Sequence, residues 1–251
     1  MKLSIIVPGI RNKNWEKIYK DIQDSLKTYS FEMIVVGPNL PCDFFSDKLN
    51  FKFIRDFGNP SRCLQLGAII SSGDYLCWLP DDIILEAGAL EGCLDFMSDK
   101  PEMDGMTLKY SEGKSFTGSQ DKDDSYWIGY THPDQRFLNV DPSWRIAPVF
   151  LYNRNHFIKI GGLDCRFEHI NFNTHDLAYR TQSLGGKVHL SPAKVFSADW
   201  TPNDPIISAA HYQNDAPLFA HVYSQKEFSR DVRLDNWKDA PAYWPRRGYK
   251  I

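Results

Sequence analysis

Asp81 and Asp82 stand side by side after Pro80, at the end of the apolar run Tyr75-Leu76-Cys77-Trp78-Leu79. Paired carboxylates offer hard oxygen donors, the kind that Mn²⁺ or Mg²⁺ accepts. On a regular strand neighbouring side chains point to opposite faces, so the two cannot both grip one ion without a turn. One arrangement uses both. One carboxylate reaches a divalent cation carrying a diphosphate, while the other accepts a hydrogen bond from a sugar hydroxyl of a nucleotide. The plainer alternative is a solvated turn that N-caps a helix beginning near Glu86.

The elements that must position this pair can be read from hydropathy. The run Tyr75 to Leu79 lacks alternation, as a strand covered on both faces should. Leu3 to Val7 reads as a first strand released by Pro8-Gly9, Met33 to Val36 as a second ending at Gly37-Pro38-Asn39, and Phe51 to Ile54 as a third. Residues 13–29 carry Trp15, Ile18, Tyr19, Ile22, Leu26 and Tyr29 at helical spacing, residues 61–71 make a second helix, and Leu90, Cys93, Leu94 and Met97 mark a third. Alternating strand and helix implies an α/β fold, a Rossmann-like and mostly parallel sheet flanked by helices. Ligands of such sheets bind beyond the carboxyl ends of the strands, where Pro8-Gly9, Gly37-Pro38-Asn39 and Asp81-Asp82 all fall.

The second half reads differently. Met103 to Tyr110 is a candidate strand, Ser111 to Asp124 a mobile loop with almost nothing to bury, and Ser143 to Tyr152 another apolar segment. Gly161-Gly162 marks a tight turn. Asp176 to Leu184 fits a helix with Asp176 near its N-terminus and Gly185-Gly186 after its end. From Trp200 onward aromatic residues are frequent without periodicity. The expected organisation is one domain over residues 1–200, with a nucleotide-binding half (1–100) and an acceptor-side half (101–200), and an irregular aromatic-rich extension (201–251) packed on it or contributing a homodimer contact.

The chain has 251 residues and a formal net charge of −3. That balance disfavours non-specific nucleic-acid binding, although Arg246, Arg247 and Lys250 form a small basic cluster. Five cysteines contain no C-x-x-C pair, and buried free thiols in a reducing compartment are the simplest reading. No stretch approaches the ~20 apolar residues that span a bilayer. A soluble cytoplasmic protein is expected.

These pieces together resemble the family 2 glycosyltransferases of the GT-A fold, over residues 3–200. Ser4-Ile5-Ile6-Val7-Pro8-Gly9 resembles the family's opening strand, and Gly67 to Leu76 the helix and strand before its acidic motif. Asp81-Asp82 falls where the family keeps a D-x-D-type metal motif. Phe157-Ile158-Lys159-Ile160-Gly161-Gly162-Leu163-Asp164, with Asp176-Leu177 and Arg180, resembles the acceptor-side segment. The resemblance implies Asp82 as a ligand of Mn²⁺ or Mg²⁺ and Asp81 as the partner of the ribose. It places Pro8, Gly9, Arg11 and Asn39 on the nucleotide side, Arg62 and Gln65 as further donors to the diphosphate, and Gly162 and Asp164 on the acceptor side. Trp127, with Tyr126 in the loop from Ser111 to Gln135, would stack on a sugar, or else would anchor that loop. His211 is the candidate that closes the metal site, with His189 as the alternative.

The family's base usually sits in a Glu-Asp pair two residues upstream of the D-L pair, and those positions here read Asn173-Thr174. Asp176 is the nearest replacement, Glu168 the second choice and His175 the third, while a structural pairing of Asp176 with Arg180 is the alternative. At Gly37-Pro38-Asn39 an acidic residue is often found in the family, and only the amide of Asn39 stands here. The function implied is inverting, metal-dependent transfer of a hexose, glucose in the first instance, from a UDP-sugar to an acceptor hydroxyl. The acceptor could be a glycan, a lipid-linked sugar, a protein or a modified nucleic acid. Competing readings are a nucleotide-sugar-binding or slowly hydrolysing protein that has lost its base, and a sugar-1-phosphate nucleotidyltransferase. The latter would carry a Gly-rich phosphate loop, where Pro8 to Lys13 holds one glycine.

Overall fold

The structure is a computed structural model, and it describes residues 2–113, 140–141, 143–199, 209–224 and 230–240. Eight strands form one sheet: β1 (Lys2–Pro8), β2 (Ser30–Gly37), β3 (Phe51–Arg55), β4 (Tyr75–Trp78), β5 (Ile83–Leu85), β6 (Gly105–Gly113), β7 (Phe150–Asn153) and β8 (Val188–Asp199). Their order is β3-β2-β1-β4-β7-β6-β8-β5. The first four are mutually parallel, and β6 pairs parallel with β8, whereas β7 and β5 run against their neighbours. The sheet is thus mostly parallel, with two reversed strands.

The four parallel strands are apolar runs because both their faces are covered. Residues Leu3, Ile5, Ile34, Val35, Leu76 and Cys77 are fully buried. Three helices follow from the spacing already described: α1 (Trp15–Ser25), α2 (Pro60–Ile70) and α3 (Ala89–Ser98). Asn59 caps α2, its side-chain oxygen accepting from Arg62 N at 2.8 Å, with Pro60 in the first turn. Helix α1 stops at Ser25, short of Tyr29, because Leu26 turns extended and Glu91 of α3 takes Lys27 N and the Thr28 hydroxyl.

Other boundaries moved for identifiable reasons. Residues 111–113 belong to β6, which stays extended because β8 pairs with it along its length. The rest of the expected mobile loop, with Tyr126 and Trp127, lies outside the described residues. No helix begins at Glu86: β5 intervenes, and α3 starts after Gly88, whose φ of 72° suits glycine. Only Phe150 to Tyr152 of the apolar segment from Ser143 is strand, and α4 (Arg154–Lys159) follows. Helix α5 runs from Ile170 to Ser183, so Asp176 sits in its middle rather than at its start.

Beyond β8, a π-helical turn (Ala210–Asp215) leads into α6 (Ala216–Ser224). Phe219, Val222 and Tyr223 pack with Phe167, Phe172 and Tyr179 in a second apolar cluster. The described part of the extension is therefore partly helical. No helix among the described residues is long and apolar enough to cross a membrane.

Candidate active site

The carboxyl ends of β1, β2 and β4 meet in one place. Gly9 N donates to Val36 O at 3.0 Å, and a Cβ on Gly37 would run into the Gly9 carbonyl, so two glycines let the strand ends touch. Asp81 organises the loop that leaves β1. One of its oxygens accepts from Ile10 N (2.7 Å) and Arg11 N (2.6 Å), and the other meets the Arg11 guanidinium. Asn14 Nδ2 donates to Asp81 O at 2.8 Å, and Asn39 Nδ2 to Ile10 O at 2.7 Å. Asp81 is buried because the loop supplies its donors, which removes the reading of a solvated helix-capping turn.

Asp82 reaches the same guanidinium, because the chain bends at residues 81–82 between β4 and β5. Its side chain is 18% exposed and lies 3.3 Å from the second terminal nitrogen of Arg11, whose own side chain is 33% exposed. Pro8, Gly9, Arg11, Asn39, Asp81 and Asp82 therefore form one cluster. Charge-assisted bonds of this kind are the stronger ones, and a guanidinium matches two carboxylates at once.

The remaining candidates gather elsewhere. The Arg62 guanidinium is forked onto Asp56 (Nε to Oδ1 at 2.9 Å, Nη2 to Oδ2 at 2.8 Å) and donates to Trp237 O at 2.6 Å. The buried amide of Gln65 donates to Gly161 O (2.8 Å) and Leu234 O (3.0 Å) and accepts from Leu163 N (2.8 Å). These two side chains clasp residues 230–240 and the Gly161-Gly162 turn, so the expectation that they donate to a diphosphate does not fit. Gly161 (φ 82°) and Gly162 (φ 66°) adopt the left-handed backbone the tight turn needs. A Cβ on Gly161 would strike the Val232 carbonyl, which crosses there.

Asp164 and Asp176 share one arginine. Arg230 reaches Asp164 Oδ2 at 2.5 Å and also Asp176 Oδ1, while Arg166 adds a bond to Asp164 (2.7 Å), Arg180 one to Asp176 (2.9 Å), and the Tyr223 hydroxyl another to Asp176 (2.7 Å). Asp176 is 0% exposed. Its two oxygens are taken by Arg180, Arg230 and the Tyr223 hydroxyl and none reaches solvent, so the expectation of Asp176 as base does not fit. For Asp164, burial pushes the carboxyl up, but Arg166 and Arg230 outweigh it and hold it at about 2. A cleft of about 550 Å³ borders Asp164, Arg166, Arg230 and the 231–239 segment.

Asn173 and Thr174, at the positions where the resemblance led us to expect a base, are buried. Asn173 accepts from Asp164 N (3.1 Å) and donates to Asp164 O (3.0 Å), pinning the turn to α5. Glu168 and His169 precede α5, and Asp215 accepts both their backbone N–H groups at 2.8 and 2.7 Å, a cap lent from the π-helical turn. His211 packs its ring against Phe172 (4.8 Å between centroids), His169 and Tyr212, and burial lowers its pKa. His189 Nε2 pairs with Asp104 at 2.7 Å. Among the described residues no three His, Cys, Asp or Glu side chains converge as a metal site, so His211 does not join Asp81 and Asp82 in one. Asp82 alone, a partly exposed carboxylate with hard oxygens, fits an ion held jointly with a ligand's phosphates, as Mg²⁺ commonly is.

Sequence reasoning missed Arg230, Asp56 and Asp215. A single cation 54 residues from one partner and 66 from the other leaves no local signal.

No protein-family model matches the chain, and no curated protein matches it. Solved structures do. TarS 1-349 of S. aureus is 14% identical, with a TM-score of 0.60 over 99% of this chain and 72% of that one. Its complex with UDP gives 0.56 at 15% identity over 92% of this chain and 72% of that one, and its complex with UDP-GlcNAc 0.60 at 13% over 99% and 73%. The chain spans 44% of a longer TarS structure. At these identities the likeness establishes architecture alone: this chain has the expected GT-A fold, shared with TarS.

Proposed function

We propose that this chain transfers a hexose from a UDP-sugar to an acceptor hydroxyl with inversion. One observation carries the reading: Asp81 binds the backbone of the loop leaving β1, at the shared carboxyl end of parallel strands, and Asp82 stands beside it, partly exposed. That is where α/β sheets take nucleotides. Solved neighbours of the same fold hold UDP and UDP-GlcNAc, which makes N-acetylglucosamine, beside glucose, a donor sugar to test first.

In this reading Pro8 and Gly9 floor the base site, and Asn39, its amide already committed to Ile10 O, offers its oxygen to a base N–H such as that of uracil. Asp81 sets the loop against which the ribose lies. Mn²⁺ or Mg²⁺, held by Asp82 together with the diphosphate, would supply Lewis-acid stabilisation of the leaving group. The acceptor oxygen attacks the anomeric carbon, the bond from that carbon to the phosphate oxygen breaks, and a carboxylate takes the acceptor's proton. With Asp176 enclosed, we assign that proton to Glu168, 5% exposed, two residues along the chain from the cleft-lining Arg166 and ahead of α5.

The second reading, a nucleotide-sugar-binding or slowly hydrolysing protein without a base, is favoured by Asn173 and Thr174 and by the enclosure of Asp176. Release of UDP from UDP-glucose and UDP-GlcNAc without acceptor separates them. Transfer chemistry predicts slow release that falls about 10²-fold or more in Glu168→Gln. Release unchanged in that variant would remove Glu168 as base, and no binding of either donor would overturn the donor site itself.

A further inference from the structure

We propose that Arg11 is a placeholder cation for the acidic pair and enforces coupled binding: the donor's diphosphate must draw Arg11 off Asp82 as a divalent cation takes that carboxylate. Neither nucleotide nor cation then binds tightly alone. The inference rests on the UDP-sugar reading above.

Two carboxylates on successive residues repel one another, and one guanidinium spans both. It meets Asp81 with one terminal nitrogen and lies 3.3 Å from Asp82 with the other. Arg11 is anchored independently through its main chain, since its N–H donates to Asp81 at 2.6 Å. Its side chain can therefore change partner without releasing the loop. The surroundings are asymmetric: the Asp81 side chain is 3% exposed, that of Asp82 18% and that of Arg11 33%. The buried bond is the fixed one and the outer bond the exchangeable one.

The charge count gives the coupling. Among these three side chains, two carboxylates and one guanidinium sum to −1, and the carboxylates disfavour a diphosphate. A divalent cation alone must compete with the guanidinium for Asp82. With both ligands present, the phosphate oxygens take the planar N–H fork of Arg11, the cation takes Asp82, and the protein groups with the cation sum to +1 facing the diphosphate. A guanidinium stays protonated at any working pH, so the placeholder is always in force.

The test is Mn²⁺ affinity, read from the EPR signal of free Mn²⁺, for the whole chain with and without UDP. Wild type should bind Mn²⁺ at least about tenfold more tightly with UDP, within the usual range of coupled sites. Arg11→Gln keeps the main-chain bond and should tighten Mn²⁺ binding without UDP by about the same factor, shrinking the coupling towards unity. Arg11→Gln combined with Asp82→Asn should reverse that gain, locating the ion at Asp82. Equal Mn²⁺ affinity in wild type and Arg11→Gln without nucleotide would overturn the proposal, as would a gain that survives Asp82→Asn. Failure of UDP to bind with Mn²⁺ present would sink the donor reading and the coupling with it. The comparison without nucleotide still decides whether Arg11 holds the place of the ion.

Discussion

Two pairs of aspartates are each met by arginine, and their surroundings make them different devices. At the strand ends, Asp81 and Asp82 share Arg11, a third exposed, on a loop held by main-chain bonds. Beyond the first hundred residues, Asp164 and Asp176 share Arg230, with Arg166, Arg180 and Tyr223 closing around them. Charges taken that far from water are costly unless every one is matched, and once matched they have no partner to exchange. The rim pair can trade partners with a ligand. The interior pair holds α5, the Gly161-Gly162 turn and the 230–240 segment in register, since Arg180 also donates to Ile160 O and Gly162 O.

The contrast is broken most directly at Asp176. Asp176→Asn leaves Arg180 and Arg230 buried beside an amide and should cost about 3–5 kcal/mol in urea unfolding. A loss below about 1 kcal/mol would mean the interior pair is no structural lock. Acid sharpens the same contrast. Asp164 is held at about 2 against an ordinary value of 3.8, so its contribution is fully present above pH 3.8 and fades as pH falls towards 2. That contribution is about 2 kcal/mol. Stability measured against pH should therefore fall less steeply between pH 4 and 2 in Asp164→Asn than in wild type, and equal slopes would show that Asp164 does not couple to folding. The smallest effect belongs to the rim: Asp82→Asn should change stability by no more than about 0.5 kcal/mol. If it costs as much as Asp176→Asn, the two pairs are one kind of device after all.

The first hundred residues were largely legible because their physics is local. Apolar runs without alternation gave β1 to β4, and the Pro and Gly residues after them marked where a cleft could open. Strand β8 was hidden because Ser191-Pro192-Ala193-Lys194 interrupts its apolar pattern, and its register against β6 shifts there. Helix α5 was cut short because Asn173, Thr174, His175 and Asp176 are all buried, so it shows no polar face from which to read a period. The position of Asp81 was legible from the strand that delivers it, but its bond to Arg11 was not, being a contact between strand ends 70 residues apart. Arg62 and Gln65 look like ligand donors in sequence because nothing local reveals that residues 234 and 237 will claim them.

That claim has a consequence for how the molecule comes together. Gln65 belongs to a helix made early in synthesis, yet its amide finds its hydrogen bonds only at residues 161–163 and 234. Until those residues arrive, the face of α2 that carries Gln65 lacks both its cover and its hydrogen-bond partners, and each bond made on docking contributes about 1 kcal/mol. The half that reads in sequence as a self-sufficient fold is therefore completed by a clasp that reaches it from residues 161–163 and from Leu234, near the far end of the described chain.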